Sequence, residues 1–200
     1  MIPTATLLEA YVSGWFPMAV APGEIRWYSP DPRGIIPLET FHVSRRLARA
    51  LRGGRFEIRV DTAFRDVIVA CSNRAETDGN WIDQEIIDSY CSLHALGHAH
   101  SIEAWRDGAL AGGLYGVSIG GAFFGESMFH HVADASKAAL VALVDRLRSR
   151  GFVLLDTQWV TDHLVQFGAI EISRRRYLRL LDTALRVEAV FTDNSRPGDR

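Results

Sequence analysis

Three consecutive strand-like segments in the middle of the chain constrain its fold more than any other feature of the sequence. The segments and the turn signals between them are 100–105, Asp107-Gly108, 109–117, Ile119-Gly120-Gly121 and 121–129. Because short turns join neighbouring antiparallel strands, this succession predicts a meander within one sheet. The charge-free stretch 108–125 contains seven Gly residues. We therefore interpret it as strands around a turn and expect no membrane-spanning helix.

Helices and further strands surround this meander. The predicted elements from residue 55 onward are a strand at 56–60, helices at 62–71 and 83–97, the three meander strands, a helix at 134–150, an apolar strand at 152–155, a helix at 161–167, a strand at 168–172 and a helix at 174–186. Helices and strands in this order are typical of an α/β fold in which helices cover a mixed sheet. A wholly apolar strand such as 152–155 is expected in the buried centre of that sheet.

The first 60 residues differ from the rest in composition. Segment 14–38 is rich in Pro, Gly and aromatic residues, which favour turns and extended chain. Ser44 is the expected N-cap of a short helix that ends at Gly53-Gly54. We predict a small N-terminal domain over 1–60, a larger domain over 61–186 and a disordered tail over 187–200.

Charge is balanced overall but uneven along the chain, with 22 basic and 24 acidic residues and a net charge of −2. Residues 41–60 contain six Arg and one Glu, and 174–179 contain four Arg and no acid. Within the first group, Arg45, Arg49 and Arg52 share one helix face. Such a face suits a phosphate backbone, and an ordinary solvated surface has the same appearance.

Cysteine and histidine usage excludes several classes of site. The two cysteines, Cys71 and Cys91, and the scattered histidines have no metal-ligand spacing, so we expect neither a metal nor another cofactor. The N-terminus shows no export signal. We therefore expect a cytoplasmic protein, and we expect it to act as a monomer.

Two carboxylates interrupt apolar runs where strands are expected. Glu126 follows Phe124 and precedes Met128, and a period of two places all three on one face. Asp156 ends the apolar strand, with Gln158 two residues later, where ligand groups collect in α/β sheets. A carboxylate among apolar neighbours is either paired or used in chemistry. The alternatives for Glu126 are a solvent-facing strand or a pairing with an Arg, and the alternative for Asp156 is a cap on the next turn or helix.

Trp81 follows a polar loop and precedes an acidic helix start. A Trp near solvent stacks on a nucleic-acid base or packs a helix onto the core, and the sequence pattern leaves both interpretations open.

Several longer motifs are together specific for one family. They are Trp27-Tyr-Ser-Pro-Asp-Pro-Arg33, Trp81-Ile, Leu93-His-x-x-Gly-His-Ala-His-Ser-Ile-Glu-x-Trp105, Gly112-Gly-Leu-Tyr-Gly-Val117, Gly125-Glu-Ser-Met-Phe129, Ala135-Ser-Lys137, Leu155-Asp-Thr-Gln158 and Phe167-Gly-Ala-x-Glu-Ile172. In this order they closely resemble the leucyl/phenylalanyl-tRNA–protein transferases over roughly residues 7–182. The chain departs from the family in its short N-terminal lead and in Met18, where some relatives carry a Trp.

The resemblance implies a GNAT-like acyltransferase domain behind the small N-terminal domain. It implies transfer of Leu or Phe from aminoacyl-tRNA to the N-terminal amine of proteins that begin with Arg or Lys, which marks them for degradation. The implied residues are Glu126, Asp156 and Gln158 at the chemical centre, Leu114, Met128 and Leu155 in the aminoacyl pocket, and Trp81 near the tRNA 3′ adenosine.

The residue types suggest a mechanism for such a transfer. We expect Asp156 to orient Gln158, whose amide oxygen accepts a hydrogen from the attacking amine, and Glu126 to bind the amine or a ribose hydroxyl. Two alternatives are an aminoacyl-tRNA-dependent transferase with another acceptor, such as a cell-wall precursor peptide, and a non-catalytic tRNA-binding module.

Overall fold

A computed structural model describes residues 1–21, 23–73 and 81–192 of the chain. Its strands are β1 (Phe16–Ala21), β2 (Glu24–Tyr28), β3 (Arg33–Ile36), β4 (Glu57–Val60), β5 (Ala99–Arg106), β6 (Ala109–Ile119), β7 (Ala122–His130), β8 (Leu154–Gln158) and β9 (Ile170–Ile172). Its α-helices are α1 (Thr4–Val12), α2 (Arg45–Arg52), α3 (Phe64–Ser72), α4 (Gln84–Ala95), α5 (Ala135–Ser149), α6 (Asp162–Val165) and α7 (Arg174–Leu185).

Seven of these strands form one mixed sheet in the order β4-β5-β6-β7-β8-β3-β9, and β1 and β2 form a separate hairpin. The β5-β6-β7 meander is antiparallel and β7 pairs with β8 in parallel, so the expected α/β fold with a mixed sheet is confirmed. Strand β3 pairs with both β8 and β9. Residues before position 60 thus contribute directly to the large sheet, and the domain division at 60 stays a prediction.

Consecutive side chains of the central strands pack into different clusters on the two faces of the sheet. Phe124 and Leu154 belong to the cluster that α1, α3, α4 and α7 cover. Phe123 and Leu155 belong to the cluster under α5. Full burial of each such side chain stabilises the folded chain by about 1.5–3 kcal/mol. The sheet is therefore held between two helical layers, as expected for a central strand that is apolar on both faces.

A β-bulge interrupts β7 at Glu126. In the register of β6 and β7, Tyr115 lies opposite Ser127 and Gly116 lies opposite Gly125, which leaves Glu126 as an extra residue. Bulges of this kind redirect a side chain and locally increase the strand twist. The carboxylate consequently occupies a position that no regular strand residue of β7 would occupy.

The bulge overturns the period-two expectation for this strand. Phe124 packs in the cluster under α1, α3, α4 and α7, whereas Met128 packs with Leu114 in the cluster under α5. The prediction that Phe124, Glu126 and Met128 share one face is therefore wrong, because the extra residue shifts the alternation by one.

Strands β7 and β8 pair only at their beginnings. The register joins Ala122–Phe124 to Leu154–Asp156, and the remaining residues of both strands extend beyond it. The two strand ends that carry Glu126 and Gln158 therefore separate and leave space between them. This separation positions the site that is described below.

The strand and helix predictions from residue 55 onward are confirmed with shifts of a few residues at their ends. Helix α1 and the strands β1, β2 and β3 were not individually predicted. Within the predicted tail, Phe191 is buried and stacks on His100 and Phe123, whereas 193–200, like 74–80, lie outside the described residues. No helix in the described part of the chain is long and apolar enough to cross a membrane.

Candidate active site

A cavity of about 310 Å³ opens where β7 and β8 separate. Its lining combines aliphatic, aromatic and polar side chains. They are Phe16, Met18, Trp81, Leu114, Tyr115, Gly125, Glu126, Ser127, Met128, His130, Ser136, Leu140, Leu143, Leu155, Thr157, Gln158, Trp159, Thr161, His163 and Leu164. Glu126 is the only carboxylate among these described lining residues. The cavity therefore joins an apolar space to one acidic group.

The aliphatic wall contains all three residues that the sequence analysis assigned to the aminoacyl pocket. Leu114, Met128 and Leu155 line the cavity and belong to the α5-side cluster. Helix α5 adds Leu140 and Leu143 to the same wall, and α6 adds Leu164. The sequence analysis did not assign these three residues to the pocket.

The Glu126 carboxylate accepts hydrogen bonds from three neutral donors. Tyr11 of α1 donates to Oε1 at 2.8 Å, and the Gln158 side-chain amide donates to the same oxygen at 3.1 Å. Tyr90 of α4 lies 3.3 Å from Oε2. The Tyr11 and Tyr90 hydroxyl oxygens also lie within hydrogen-bonding distance of each other. Glu126 thus has no cation as a direct partner among the described ion pairs.

The groups around Glu126 raise its pKa. Desolvation among buried side chains, together with a smaller effect of the Asp156 charge, raises its pKa from 4.5 to about 7. The hydrogen bonds from Tyr11 and Tyr90 and the charge of Arg33 act in the opposite direction. Near neutral pH, Glu126 therefore exchanges a proton readily.

Gln158 is held in an unusual backbone conformation at the end of β8. Its φ is 58°, in the left-handed region that L-residues seldom adopt. The backbone N–H of Gln158 donates to Asp156 Oδ1 at 2.9 Å, which fixes this turn. Because the side-chain N–H group points to Glu126, the amide oxygen of Gln158 is directed elsewhere, and the residue lines the cavity.

Asp156 itself lies behind the cavity wall. It is fully buried and is absent from the lining. Arg33 of β3 donates to its two oxygens at 2.9 and 2.6 Å, and the Tyr177 hydroxyl of α7 donates to Oδ2 at 2.8 Å. Asp156 contacts Gln158 through the backbone, not through the amide group. Its position suits a residue that fixes the β8 terminus.

Arg33 is a residue of this network that the sequence analysis missed. Its side chain is 1% exposed, stacks between the rings of Phe16 and Tyr177 and donates to the backbone oxygen of Gly14. The Asp156 charge raises the pKa of Arg33 against the effect of burial. The motif that ends at Arg33 was noted in the sequence, but its partner 123 positions later was not predictable from spacing.

Trp81 lines the cavity and is half-buried against the α1, α3, α4 and α7 cluster. Its backbone oxygen accepts a hydrogen bond of 3.1 Å from Ala19 of β1, and the neighbouring Met18 lines the same cavity. Trp159, at the β8 terminus, contacts Phe16 edge-on with ring centroids 5.2 Å apart. The cavity lining therefore includes the aromatic surfaces of Phe16, Trp81 and Trp159.

Arg45, Arg49 and Arg52 lie exposed on α2 and are not part of the cavity lining. Leu47 anchors this helix in the α5-side cluster, and Ser44 caps it as predicted. The structure therefore brings Glu126, Gln158, Trp81 and the aminoacyl-pocket residues together but leaves the three arginines on a separate surface. In the described residues, no group of three or more His, Cys, Asp or Glu side chains is arranged to hold a metal ion.

Comparison with known proteins places these features in context. The family model described as leucyl/phenylalanyl-tRNA protein transferase matches residues 35–182, and the model of the N-terminal domain of this transferase matches residues 1–31. The leucyl/phenylalanyl-tRNA–protein transferase of Herpetosiphon aurantiacus is 58% identical over 92% of this chain and 95% of its own length. Those of Gloeobacter violaceus and Phenylobacterium zucineum are 55% and 57% identical over 92% of this chain, and 95% and 85% of their own lengths.

Proposed function

Because the chain belongs to the leucyl/phenylalanyl-tRNA–protein transferase family and is an aminoacyltransferase, we propose that it transfers Leu or Phe to proteins beginning with Arg or Lys. The observation that carries this proposal is the cavity in which one carboxylate faces a wall of aliphatic side chains. The cavity accommodates an apolar aminoacyl side chain beside a group that attracts an amine. We further propose that the protein acts as a cytoplasmic monomer whose products are marked for degradation.

The aliphatic wall supports the choice of Leu and Phe as the transferred residues. Leu114, Met128 and Leu155 contribute no strong hydrogen-bonding group, so a polar side chain entering there would lose its hydration without compensation. A hydrophobic pocket discriminates only weakly between apolar side chains of different size, because one methylene group changes the binding free energy by only about 1–3 kcal/mol. One pocket therefore serves both Leu and Phe.

The acidic side of the cavity supports a cationic acceptor. An N-terminal α-amine has a pKa of about 7.7–8.0 and is largely protonated at neutral pH. Glu126 attracts this ammonium group, and the Gln158 amide oxygen accepts a hydrogen from the amine once it is neutral. Asp156 and Arg33 are positioning residues, since they fix the β8 terminus that carries Gln158.

The reaction needs positioning more than activation. An aminoacyl ester is already activated, so the amine attacks its carbonyl carbon, the C–N bond forms and the C–O bond to the ribose breaks. Holding the two reactants in register contributes much of the rate enhancement in reactions of this kind. The nitrogen must also lose a proton during the transfer.

We propose that the tRNA end approaches the cavity along its aromatic side chains. Trp81 and Met18 line the cavity, where a terminal base stacks on Trp81 beside the esterified amino acid. The exposed arginines of α2, Arg45, Arg49 and Arg52, offer charge for a phosphate backbone farther from the reacting ester.

Labelled aminoacyl-tRNA tests the proposal directly. The protein is incubated with labelled Phe-tRNA and with matched peptides that begin with Arg, Lys or Ala. We expect label on the Arg and Lys peptides and none on the Ala peptide. Label on the Ala peptide at an equal rate would contradict the acceptor assignment, and bound tRNA without transfer to any peptide would contradict the transferase assignment.

A further inference from the structure

Two buried tyrosines contact Glu126 and each other. Binding of an amine by Glu126 does not by itself require this arrangement. Tyr11 comes from α1 and Tyr90 from α4, 79 positions apart, and both are fully buried. Their hydroxyl groups touch each other, and each touches a different oxygen of Glu126. The three side chains close a ring of hydrogen-bond contacts.

Counting protons in this ring distinguishes the two states of Glu126. The ring has three oxygen–oxygen contacts: Tyr11 with Tyr90, Tyr11 with Oε1, and Tyr90 with Oε2. Each hydroxyl carries one proton, so an ionised carboxylate leaves two protons for three contacts. A proton on Oε2 supplies the third, with Oε2–H donating to Tyr90, Tyr90 to Tyr11, and Tyr11 to Oε1.

The two carboxylate oxygens are not equivalent. Oε1 accepts from both Tyr11 and the Gln158 amide, whereas Tyr90 is the described partner of Oε2. Oε2 therefore retains lone-pair capacity and is the atom at which a proton is most easily accommodated. Burial raises the pKa of both tyrosines well above 10, so they remain hydrogen-bond donors throughout the working pH range.

We propose that Glu126 accepts the proton that leaves the attacking amine and returns it to the ribose oxygen, with Tyr11 and Tyr90 as positioning residues that hold its carboxyl group in both protonation states. The proposal rests on the transfer reaction proposed above. It assigns the proton step that the weakly basic amide of Gln158 is unable to complete.

Atoms and electrons balance in this step. The neutral amine attacks the ester carbonyl carbon, the C–N bond forms, and an N–H proton passes to Oε2 of Glu126. The C–O bond then breaks, and the departing ribose oxygen takes the proton from Oε2. Glu126 returns to its ionised state, the products are an amide and a ribose hydroxyl, and no oxidant, reductant or further reactant is consumed.

Other charged groups around Glu126 are accounted for by existing contacts. Arg33 of β3 and Tyr177 of α7 are hydrogen bonded to Asp156 of β8. The titratable imidazole groups of His130 in β7 and His163 in α6 line the same cavity. A pH profile must therefore be assigned to Glu126 by substitution.

The test measures single-turnover transfer from Phe-tRNA between pH 5.5 and 9, using two Arg-starting acceptor peptides with different α-amine pKa values. Glu126 must be ionised to accept the proton, so the rate rises as pH increases through about 7. This rise in rate near pH 7, the shared limb of the pH profile, is the same for both peptides. A second rise, which reflects deprotonation of the attacking amine, shifts with the α-amine pKa of the peptide. Glu126→Gln should abolish the shared limb and lower the plateau rate by about 100-fold.

The tyrosine variants test the positioning role. Tyr11→Phe removes a donor that favours the ionised carboxylate, so the shared limb should move upward by about one pH unit. Tyr90→Phe removes the acceptor for Oε2–H and should lower the plateau rate by about tenfold with unchanged Phe-tRNA binding. Tyr28→Phe, which removes a hydroxyl from the β1–β2 hairpin, is the control and should retain the wild-type profile.

Infrared difference spectra provide a readout that does not depend on turnover. A protonated carboxyl band should appear in the wild type as pH falls through about 7, and Glu126→Gln should lack it. If the wild type transfers Phe and the shared limb persists in Glu126→Gln, Glu126 is not the proton acceptor. That result would overturn the proposal and leave the proposed function intact. A wild-type protein that transfers no Phe at any pH would instead refute the proposed function.

Discussion

Removal of Arg33 is expected to destabilise the fold strongly, because it leaves the Asp156 carboxylate buried without a cation. The two side chains are 1% and 0% exposed and are joined by hydrogen bonds of 2.6 and 2.9 Å. Breaking a buried pair from one side costs about 3–5 kcal/mol. For a chain of this size, each kcal/mol shifts Tm by roughly 2–4 °C, so Arg33→Met should lower Tm by about 6–20 °C.

A double-mutant cycle tests the physical reason for this loss. Asp156→Asn alone leaves Arg33 without its counter-charge, whereas the double variant Arg33→Met/Asp156→Asn removes both charges. Urea titrations of the four proteins should give a coupling free energy of at least about 2 kcal/mol. Additive losses within about 0.5 kcal/mol would refute the buried ion pair as the cause. Arg26→Met, which breaks an exposed pair with Glu24, is the matched control and should change stability by less than about 1 kcal/mol.

Three further predictions concern substrate recognition. Trp81→Ala should weaken binding of Phe-tRNA by about 5- to 150-fold, the equivalent of one lost base stack, in a filter-binding assay; unchanged affinity would exclude stacking. Leu143→Phe makes the pocket smaller and should lower transfer of Phe more than transfer of Leu. An unchanged ratio of the two kcat/KM values would show that the transferred side chain binds outside this pocket. Replacing Arg45, Arg49 and Arg52 by Gln should lower the slope of log tRNA affinity against log salt concentration by about two to three, because up to three phosphate contacts are lost. An unchanged slope would show that the three arginines form an ordinary solvated surface.

Much of the sheet could be predicted from sequence because its signals are local. The meander strands are marked by turn residues between them, and the strand before Asp156 is marked by continuous apolar character. Ser44 caps α2 through a side-chain contact three residues away. Each of these signals lies within one element or between neighbours.

The arrangement around Glu126 depends on contacts that local patterns do not encode. The bulge in β7 changes the face of every later residue, yet nothing in the run Phe123–Phe129 marks where the extra residue falls. Tyr11 and Tyr90 belong to helices that meet only after the sheet is assembled. Arg33 likewise finds Asp156 through strand order, because β3 inserts beside β8.

A structure of the protein with an amide-linked phenylalanyl adenosine, which imitates the end of Phe-tRNA but does not transfer, tests the central claim most directly. The proposed site predicts the phenyl ring against Leu114, Met128 and Leu155, the adenine on Trp81, and the linkage facing Glu126 and Gln158. A phenyl ring bound outside this cavity, with Glu126 remote from the linkage, would contradict the assignment of the active site.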